Sequence, residues 1–183
     1  MNQYLPMPNY RRAWMPGGTY FFTINLLQRQ RCDLLVHHID HLRAVVRDVR
    51  MRHPFTIHGW VVLPDHIHCI LSLPAGDSDF PLRWRLIKGS FSKMLPPSEH
   101  RSLTRQKRGE RGIWQRRYWE HLIRDERDFN SHMDYIHINP VKHGLVPSVA
   151  DWPYSTFHRL VKQGVYDKNW ADSTFADTLG YED

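Results

Sequence analysis

Apolar and polar residues alternate along this chain with two periods, one typical of strands and one of helices. β-Branched and aromatic residues fill residues 19–27, 55–63 and 66–73, a composition that favours three strands. The second and third of these segments are separated only by Pro64 and Asp65, so we expect them to form a hairpin.

Helical spacing of apolar residues predicts four helices, and a fourth strand is predicted over residues 118–123. The helices cover residues 39–53, 80–94, 125–139 and 154–163. Pro140 is expected to end or kink the third helix, because a proline disfavours helical geometry in the residue before it. Strands interleaved with helices, without a regular βαβ alternation, favour an α+β fold in which one antiparallel sheet has helices packed on one face.

The composition is typical of one folded domain. Of the 183 residues, 41% are hydrophobic and 24% are charged, which excludes a chain that is disordered throughout. We expect one domain over residues 1–171, containing a mobile basic loop over 95–112, and a frayed tail over 172–183. The sequence has two cysteines, no secretion signal and no apolar stretch of roughly 18 residues, so we expect a cytoplasmic protein.

Positive charge is concentrated in one part of the sequence. The net charge is +6, but residues 83–117 carry eleven bases and two acids, so this window has +9 and the rest of the chain −3. A local basic excess favours a polyanionic partner, although a solvated helix face followed by a solubilising loop has the same composition. The candidate phosphate-binding residues are Arg83, Arg85, Lys88, Lys93, Arg116 and Arg117 in this window, with Arg11 and Arg12 before the first strand.

Two histidines separated by one apolar residue open the third predicted strand. Because side chains alternate along a strand, His66 and His68 share one face while Ile67 points to the other. Two imidazoles in this arrangement can chelate one metal ion. The same pattern also fits a pair of hydrogen-bonded, half-buried histidines without a metal.

A tyrosine and an asparagine lie one turn apart on the third predicted helix. Tyr135 and Asn139 are neighbours at i and i+4. A tyrosine hydroxyl is a possible nucleophile, and a carboxamide oxygen can complete a metal site with the two histidines. Attack on a phosphodiester by a tyrosine conserves the bond energy, so the reaction requires no nucleoside triphosphate. The sequence contains no GxxxxGK[ST] nucleotide-binding loop.

Several motifs in a fixed order resemble those of the REP-associated tyrosine transposases. The matching segments are Tyr10-Arg11-Arg12, Pro16 to Thr23, Val62 to His68, Trp114-Gln115, Tyr118 to His121, Asp134 to Gly144 and Asp151 to Ser155. The resemblance extends from about Tyr10 to about Trp170. These proteins are relatives of the single-tyrosine insertion-sequence transposases within the His-hydrophobic-His endonuclease group.

The resemblance implies a ferredoxin-like fold and a single-strand DNA endonuclease that depends on Mg²⁺ or Mn²⁺ and forms a 5′-phosphotyrosine link. It implies that Tyr135 is the nucleophile, that His66 and His68 are metal ligands, and that Asn139 occupies the third-ligand position, where insertion-sequence relatives commonly have glutamine. The implied substrates are palindromic DNA hairpins, cleaved and rejoined by a protein that associates with the nucleoid when bound to DNA. We expect a monomer, with a homodimer as the alternative.

Two other functions fit the same residues. A protein of this fold could bind hairpin DNA or RNA without cutting it, or it could be a metallohydrolase that uses water, with Tyr135 only positioning the substrate. A covalent DNA adduct that depends on Tyr135 distinguishes the three functions.

Overall fold

Four strands form one antiparallel sheet in the order β2-β3-β1-β4. The computed structural model describes residues 14–30, 32–97 and 101–171. The strands are β1 (Thr19–Asn25), β2 (Thr56–Val62), β3 (His66–Ser72) and β4 (Trp119–Leu122). The helices are α1 (Leu34–His37), α2 (Ile39–Arg52), α3 (Phe80–Met94), α4 (Leu103–Lys107), α5 (Glu126–Lys142) and α6 (Phe157–Lys162), with a 3₁₀ turn over Val149–Asp151.

The chain order of the main elements is the βαββαβ order of a ferredoxin-like fold. It runs β1, α2, β2, β3, α3 and β4, and the pairs β1–β3, β1–β4 and β2–β3 are all antiparallel. The predicted hairpin of β2 and β3 around Pro64 and Asp65 is therefore confirmed, and so is the α+β class. The strands and α3 lie within two residues of the predicted bounds.

Helices cover both faces of this sheet, so the prediction of helices on one face is wrong. On one face, Phe22 and Ile67 belong to a core with residues of α2 and α3 such as Trp84. On the other face, Phe21 and Ile70 pack with Met133 and Ile136 of α5. Strand β3 is buried at all but its last position, and Phe21 and Ile70 are apolar on the face that meets α5, so covering this face requires a second helical layer.

Helix α5 continues through Pro140 to Lys142, so of the two outcomes predicted at Pro140, an end or a kink, the end at Asn139 is wrong. A proline removes one donor from the helix, but the next turn is intact because His143 N donates to the Asn139 carbonyl oxygen (2.9 Å). Ile138 and Pro140 are buried in this turn, so tertiary packing outweighs the local preference. At the other end, the Asp125 carboxylate accepts from Asp128 N and caps the first turn.

The basic segment 95–112 has more local structure than the sequence predicted. It contains α4, and the Arg111 guanidinium donates to the carbonyl oxygens of Leu95 (2.7 Å) and Pro96 (2.8 Å). Residues 98–100 of this segment and the predicted tail 172–183 lie outside the described residues. In the part of the chain that the structure describes, no helix is both long and apolar enough to cross a membrane.

Candidate active site

His66 and His68 lie side by side on β3 and point towards α5. Each is 3% exposed, and their ring centroids are 4.7 Å apart. Ile67 between them is fully buried in the core on the opposite face. The alternation expected from the strand pattern is thus present, and the two imidazoles share one face.

A hydrogen bond orients each of these two imidazoles. The Nδ1 atom of His66 is 2.6 Å from Asp65 Oδ1, and Nδ1 of His68 is 2.9 Å from Thr23 Oγ1. Arg29 Nε donates to the second oxygen of Asp65 (2.6 Å). Because the Nδ1 atoms are engaged, the Nε2 atoms are the ones available to a metal, an arrangement common in metal sites.

Burial and charge favour the states that metal binding needs. Burial opposes ionisation of Asp65, but hydrogen bonds from His66 and Arg29 outweigh it and lower the pKa of the carboxyl to about 2. The pKa of His68 is well below its usual value, first because of burial and then because of His66 and His143. Asp65 is therefore an ionised acceptor and His68 a neutral imidazole at neutral pH, as a metal ligand requires.

Three residues of the α5 segment face the two histidines in one stripe. Tyr135, Asn139 and His143 follow one another at intervals of four residues, so they lie on one side of the helix. The Tyr135 ring packs edge-on against His68 at 5.1 Å between centroids, and the His143 ring against His66 at 5.3 Å. Asn139, between them on the stripe, therefore faces the same pair.

The buried carboxamide of Asn139 has no hydrogen-bond partner in the part of the chain that the structure describes. Asn139 is 0% exposed, and neither its Oδ1 nor its Nδ2 has a hydrogen-bond partner among the described residues. Buried polar groups are normally hydrogen-bonded, so an orphaned carboxamide beside two oriented imidazoles fits the donor set of a cation site. Imidazole nitrogens are typical ligands of divalent transition metals, whereas a carboxamide oxygen is a ligand type that Mg²⁺ and Mn²⁺ also accept.

Tyr135 is half-buried and can be reached by a substrate. Its ring also contacts Phe21 edge-on, with 5.9 Å between centroids. Lys142 Nζ lies 5.6 Å from the Tyr135 ring centroid. An exposed ammonium beside a possible nucleophile supplies positive charge where a phosphate would approach.

The candidate phosphate-binding residues are in different environments. Arg85, Lys93, Arg116 and Arg117 are exposed, and Lys88 is half-buried with its Nζ donating to the Gln115 carbonyl oxygen (2.7 Å). A cleft of about 660 Å³ between α3 and residues 108–118, called the basic cleft below, brings several bases together. Its basic lining residues are Arg85, Lys88, Lys93, Arg108, Arg111 and Arg116.

Arg83 is an internal residue rather than a surface one, at odds with the sequence-based expectation. It is 3% exposed, its Nη2 donates to Asp77 (2.6 Å) and to the Pro54 carbonyl oxygen (2.7 Å), and its Nη1 donates to the Asp79 carbonyl oxygen (2.9 Å). The guanidinium holds the start of α3 to the turn before β2, so it is not available to DNA. Arg11 and Arg12 lie outside the described residues.

Sequence reasoning did not assign roles to Asp65, Thr23 and His143. Asp65 directly precedes His66, so adjacency was a signal that could have identified it. Thr23 has no local signal, because it reaches His68 only through the β1–β3 register, in which the two are paired. The position of His143 beside His66 was not predicted, because the helix was expected to end at Asn139, four residues earlier.

The chain matches the family model described as "Transposase IS200 like" over residues 22–139. A REP-associated tyrosine transposase of Escherichia coli (strain K12) is 48% identical over 165 residues, which are 90% of this chain and 92% of the relative. A relative in Haemophilus influenzae is 46% identical over 90% of this chain and 93% of its own length. A solved structure described as a REP-associated tyrosine transposase bound to a REP hairpin superposes with a TM-score of 0.77 at 48% identity, covering 90% of this chain and 92% of that one.

Proposed function

This chain belongs to the IS200-like transposases and, among them, to the REP-associated tyrosine transposases, and we propose that it is a metal-dependent endonuclease that cleaves and rejoins single-stranded DNA at palindromic hairpins. One observation carries the proposal. Tyr135 packs directly against His68 of an oriented histidine pair whose Nε2 atoms are available to a cation.

Tyr135 is the proposed nucleophile. Its hydroxyl oxygen forms a bond to phosphorus while the bond from phosphorus to the 3′ oxygen breaks, which leaves a 5′-phosphotyrosine and a free 3′ hydroxyl. The tyrosine loses a proton and the released oxygen gains one. Because one phosphodiester replaces another, the reverse reaction rejoins the strand without a nucleoside triphosphate.

His66, His68 and Asn139 are the residues that would hold Mg²⁺ or Mn²⁺. When bound, the cation polarises a phosphate oxygen and orients the phosphodiester. Asp65 and Thr23 keep the two imidazoles in the required orientation. Lys142 adds positive charge beside Tyr135 for the phosphate that is attacked.

The proposed substrate is a DNA hairpin with a single-stranded flank, and the structural relative is described as bound to a REP hairpin. The basic cleft offers Arg85, Lys93 and Arg116 to the phosphate backbone of such a hairpin. Contacts of this kind position DNA without reading its sequence. They would therefore hold the stem, while the cleavage position depends on where the flank reaches Tyr135.

The test is incubation of the protein with end-labelled hairpin DNA and Mn²⁺, followed by denaturing electrophoresis. We expect a covalent protein–DNA adduct that disappears in Tyr135→Phe and persists in Tyr154→Phe, a matched loss of one hydroxyl from a half-buried tyrosine that lines a different groove. Hairpin binding by the wild type without an adduct would support a binding module instead. Cleavage retained by Tyr135→Phe without an adduct would support a water-dependent hydrolase.

A further inference from the structure

A second group of metal-ligating side chains joins the edge strand to the helix that carries Tyr135. His121 lies on β4, and Asp128 and His132 lie one turn apart on α5. One ligand atom from each residue lies within 4.8 Å of the other two. The proposed catalytic function uses none of these three residues.

The Asp128 carboxylate lies between the two imidazoles. Its Oδ2 is 2.8 Å from His121 Nε2, and its Oδ1 is 3.1 Å from His132 Nδ1, which also lies 2.8 Å from the Asp128 carbonyl oxygen. The two rings are nearly parallel, at 17° and 4.7 Å between centroids. The Asp128 side chain is 8% exposed and the two histidine side chains 24% and 20%, so the group is largely enclosed with one side open to solvent.

We infer that His121, Asp128 and His132 form a second metal site, of the class that binds Zn²⁺. Two imidazoles and one carboxylate are a ligand set that Zn²⁺ takes at about 2.0–2.2 Å, with water in the fourth tetrahedral position. The ligand atoms are already close enough for small rotamer changes to bring them around one ion. Ligands at i and i+4 of a helix are a common way to supply two of the three.

This site is separate from the proposed catalytic one. The Phe21 ring lies between the two, with its centroid 4.7 Å from that of His132 and 5.6 Å from that of His68. No ligand is shared. A cation on His121, Asp128 and His132 would fasten β4 to the first turns of α5 and so fix the helix that positions Tyr135.

Arg124 competes with the metal for the same carboxylate. Its Nε is 3.2 Å from Asp128 Oδ2, while its side chain is 73% exposed and able to turn towards solvent. The cation would displace this guanidinium. The variant Arg124→Gln is therefore expected to tighten metal binding severalfold, because no guanidinium then competes with the cation for the Asp128 carboxylate.

The experiment is calorimetric titration with Zn²⁺ of the His66→Ala/His68→Ala protein, which lacks the proposed catalytic ligands. We expect one equivalent to bind and to raise the melting temperature. Adding His121→Gln/His132→Gln should remove that equivalent, whereas adding His37→Gln/His41→Gln, which removes two exposed histidines, should keep it.

The inference is overturned if the starting variant binds no Zn²⁺, or if His121→Gln/His132→Gln binds it as before. His132→Gln alone keeps the hydrogen bond of His121 to Asp128 and is the variant to use if the double change unfolds the protein; it should weaken binding at least tenfold. Neither result depends on DNA cleavage, so the proposed function is tested separately.

Discussion

Asp65 determines which nitrogen of His66 is available to the proposed cation. As an ionised carboxylate it accepts from Nδ1–H at 2.6 Å, which leaves the lone pair on Nε2. Asp65→Asn weakens this constraint, because an amide can present either an oxygen or an NH₂ group to the ring. We expect the Mn²⁺ concentration for half-maximal cleavage to rise about 10- to 100-fold.

The measurement is adduct formation across a Mn²⁺ series. Asp40→Asn is the matched control, because Asp40 is an exposed carboxylate paired with Arg43 on α2. It should leave the Mn²⁺ midpoint unchanged. An unchanged midpoint for Asp65→Asn would contradict the orienting role of Asp65.

His137 makes the stability of the fold depend on pH. It is 0% exposed, and burial, followed by the charges of Arg159 and His158, lowers its pKa from 6.5 to about 3. The unfolded chain therefore binds a proton between these values that the folded chain does not. The contribution of neutral His137 to the free energy of unfolding is complete above pH 6.5 and is lost as the pH falls towards 3.

The comparison for His137 is urea unfolding of the wild type and His137→Gln at about pH 7 and about pH 5. Between these two pH values, the free energy of unfolding should fall by about 2 kcal/mol more in the wild type than in the variant. Equal losses in both proteins would show that another group controls the acid sensitivity.

At the scale of elements, Gly59 sets how closely α5 approaches the sheet. A Cβ atom at this position of β2 would lie 2.6 Å from Met133 Sδ and 3.1 Å from Ile136 Cδ1. Gly59→Val should therefore push α5 away from β2, lower the free energy of unfolding by about 1–3 kcal/mol and reduce adduct formation. Thermal or urea unfolding measures the first effect, and the hairpin assay measures the second.

Met133→Ala in the Gly59→Val background should recover part of both losses, because it removes the atoms that the new side chain meets. Gly89→Ala on α3 is the control, since a Cβ there meets nothing within 4 Å. It should stabilise the helix by about 0.5–1 kcal/mol, and because Gly89 lines the basic cleft it is a control for stability only. A Gly59→Val protein as stable as Gly89→Ala would refute the close-approach argument.

Much of this architecture could be predicted because its signals are local. The β2–β3 hairpin follows from two apolar runs around Pro64 and Asp65, and α3 occupies the predicted residues 80–94. The length of α5 could not be predicted in the same way. Pro140 disfavours helical geometry at Asn139, so the local sequence predicts that the helix ends there. The helix continues because this turn is buried against the rest of the fold, and the sequence alone does not show that packing.

The residues of the candidate site also differ in whether a local sequence signal identifies them. His66, His68, Tyr135 and Asn139 could be proposed because strand alternation and helical spacing bring each pair together. Thr23 could not be, since its contact with His68 depends on strand register. The internal role of Arg83 is also tertiary, because charge composition alone does not distinguish a buried arginine from an exposed one.

At the scale of the whole molecule, the positive charge lies apart from the proposed chemistry. The bases of the basic cleft belong to α3 and residues 108–118, whereas the proposed catalytic groups belong to β3 and α5. A second group of exposed arginines lies on α2, where Arg43 and Arg47 line a groove with Tyr154. Net charge alone does not decide which of the two surfaces binds DNA, but salt dependence can, because each phosphate that a base neutralises releases counterions.

We therefore expect Lys93→Ala/Arg116→Ala to weaken hairpin binding and to reduce the slope of log affinity against log salt by about 0.7–0.9 for each phosphate that is no longer neutralised. Arg43→Ala/Arg47→Ala removes the same two charges from α2 and should change the slope little. Fluorescence anisotropy with a labelled hairpin between about 50 and 200 mM salt, the range over which such binding weakens strongly, measures both variants. Because their net charges are equal, any difference in slope reports local binding rather than overall attraction. A larger decrease of the slope in the α2 variant would place the DNA on the α2 groove and overturn the assignment to the basic cleft.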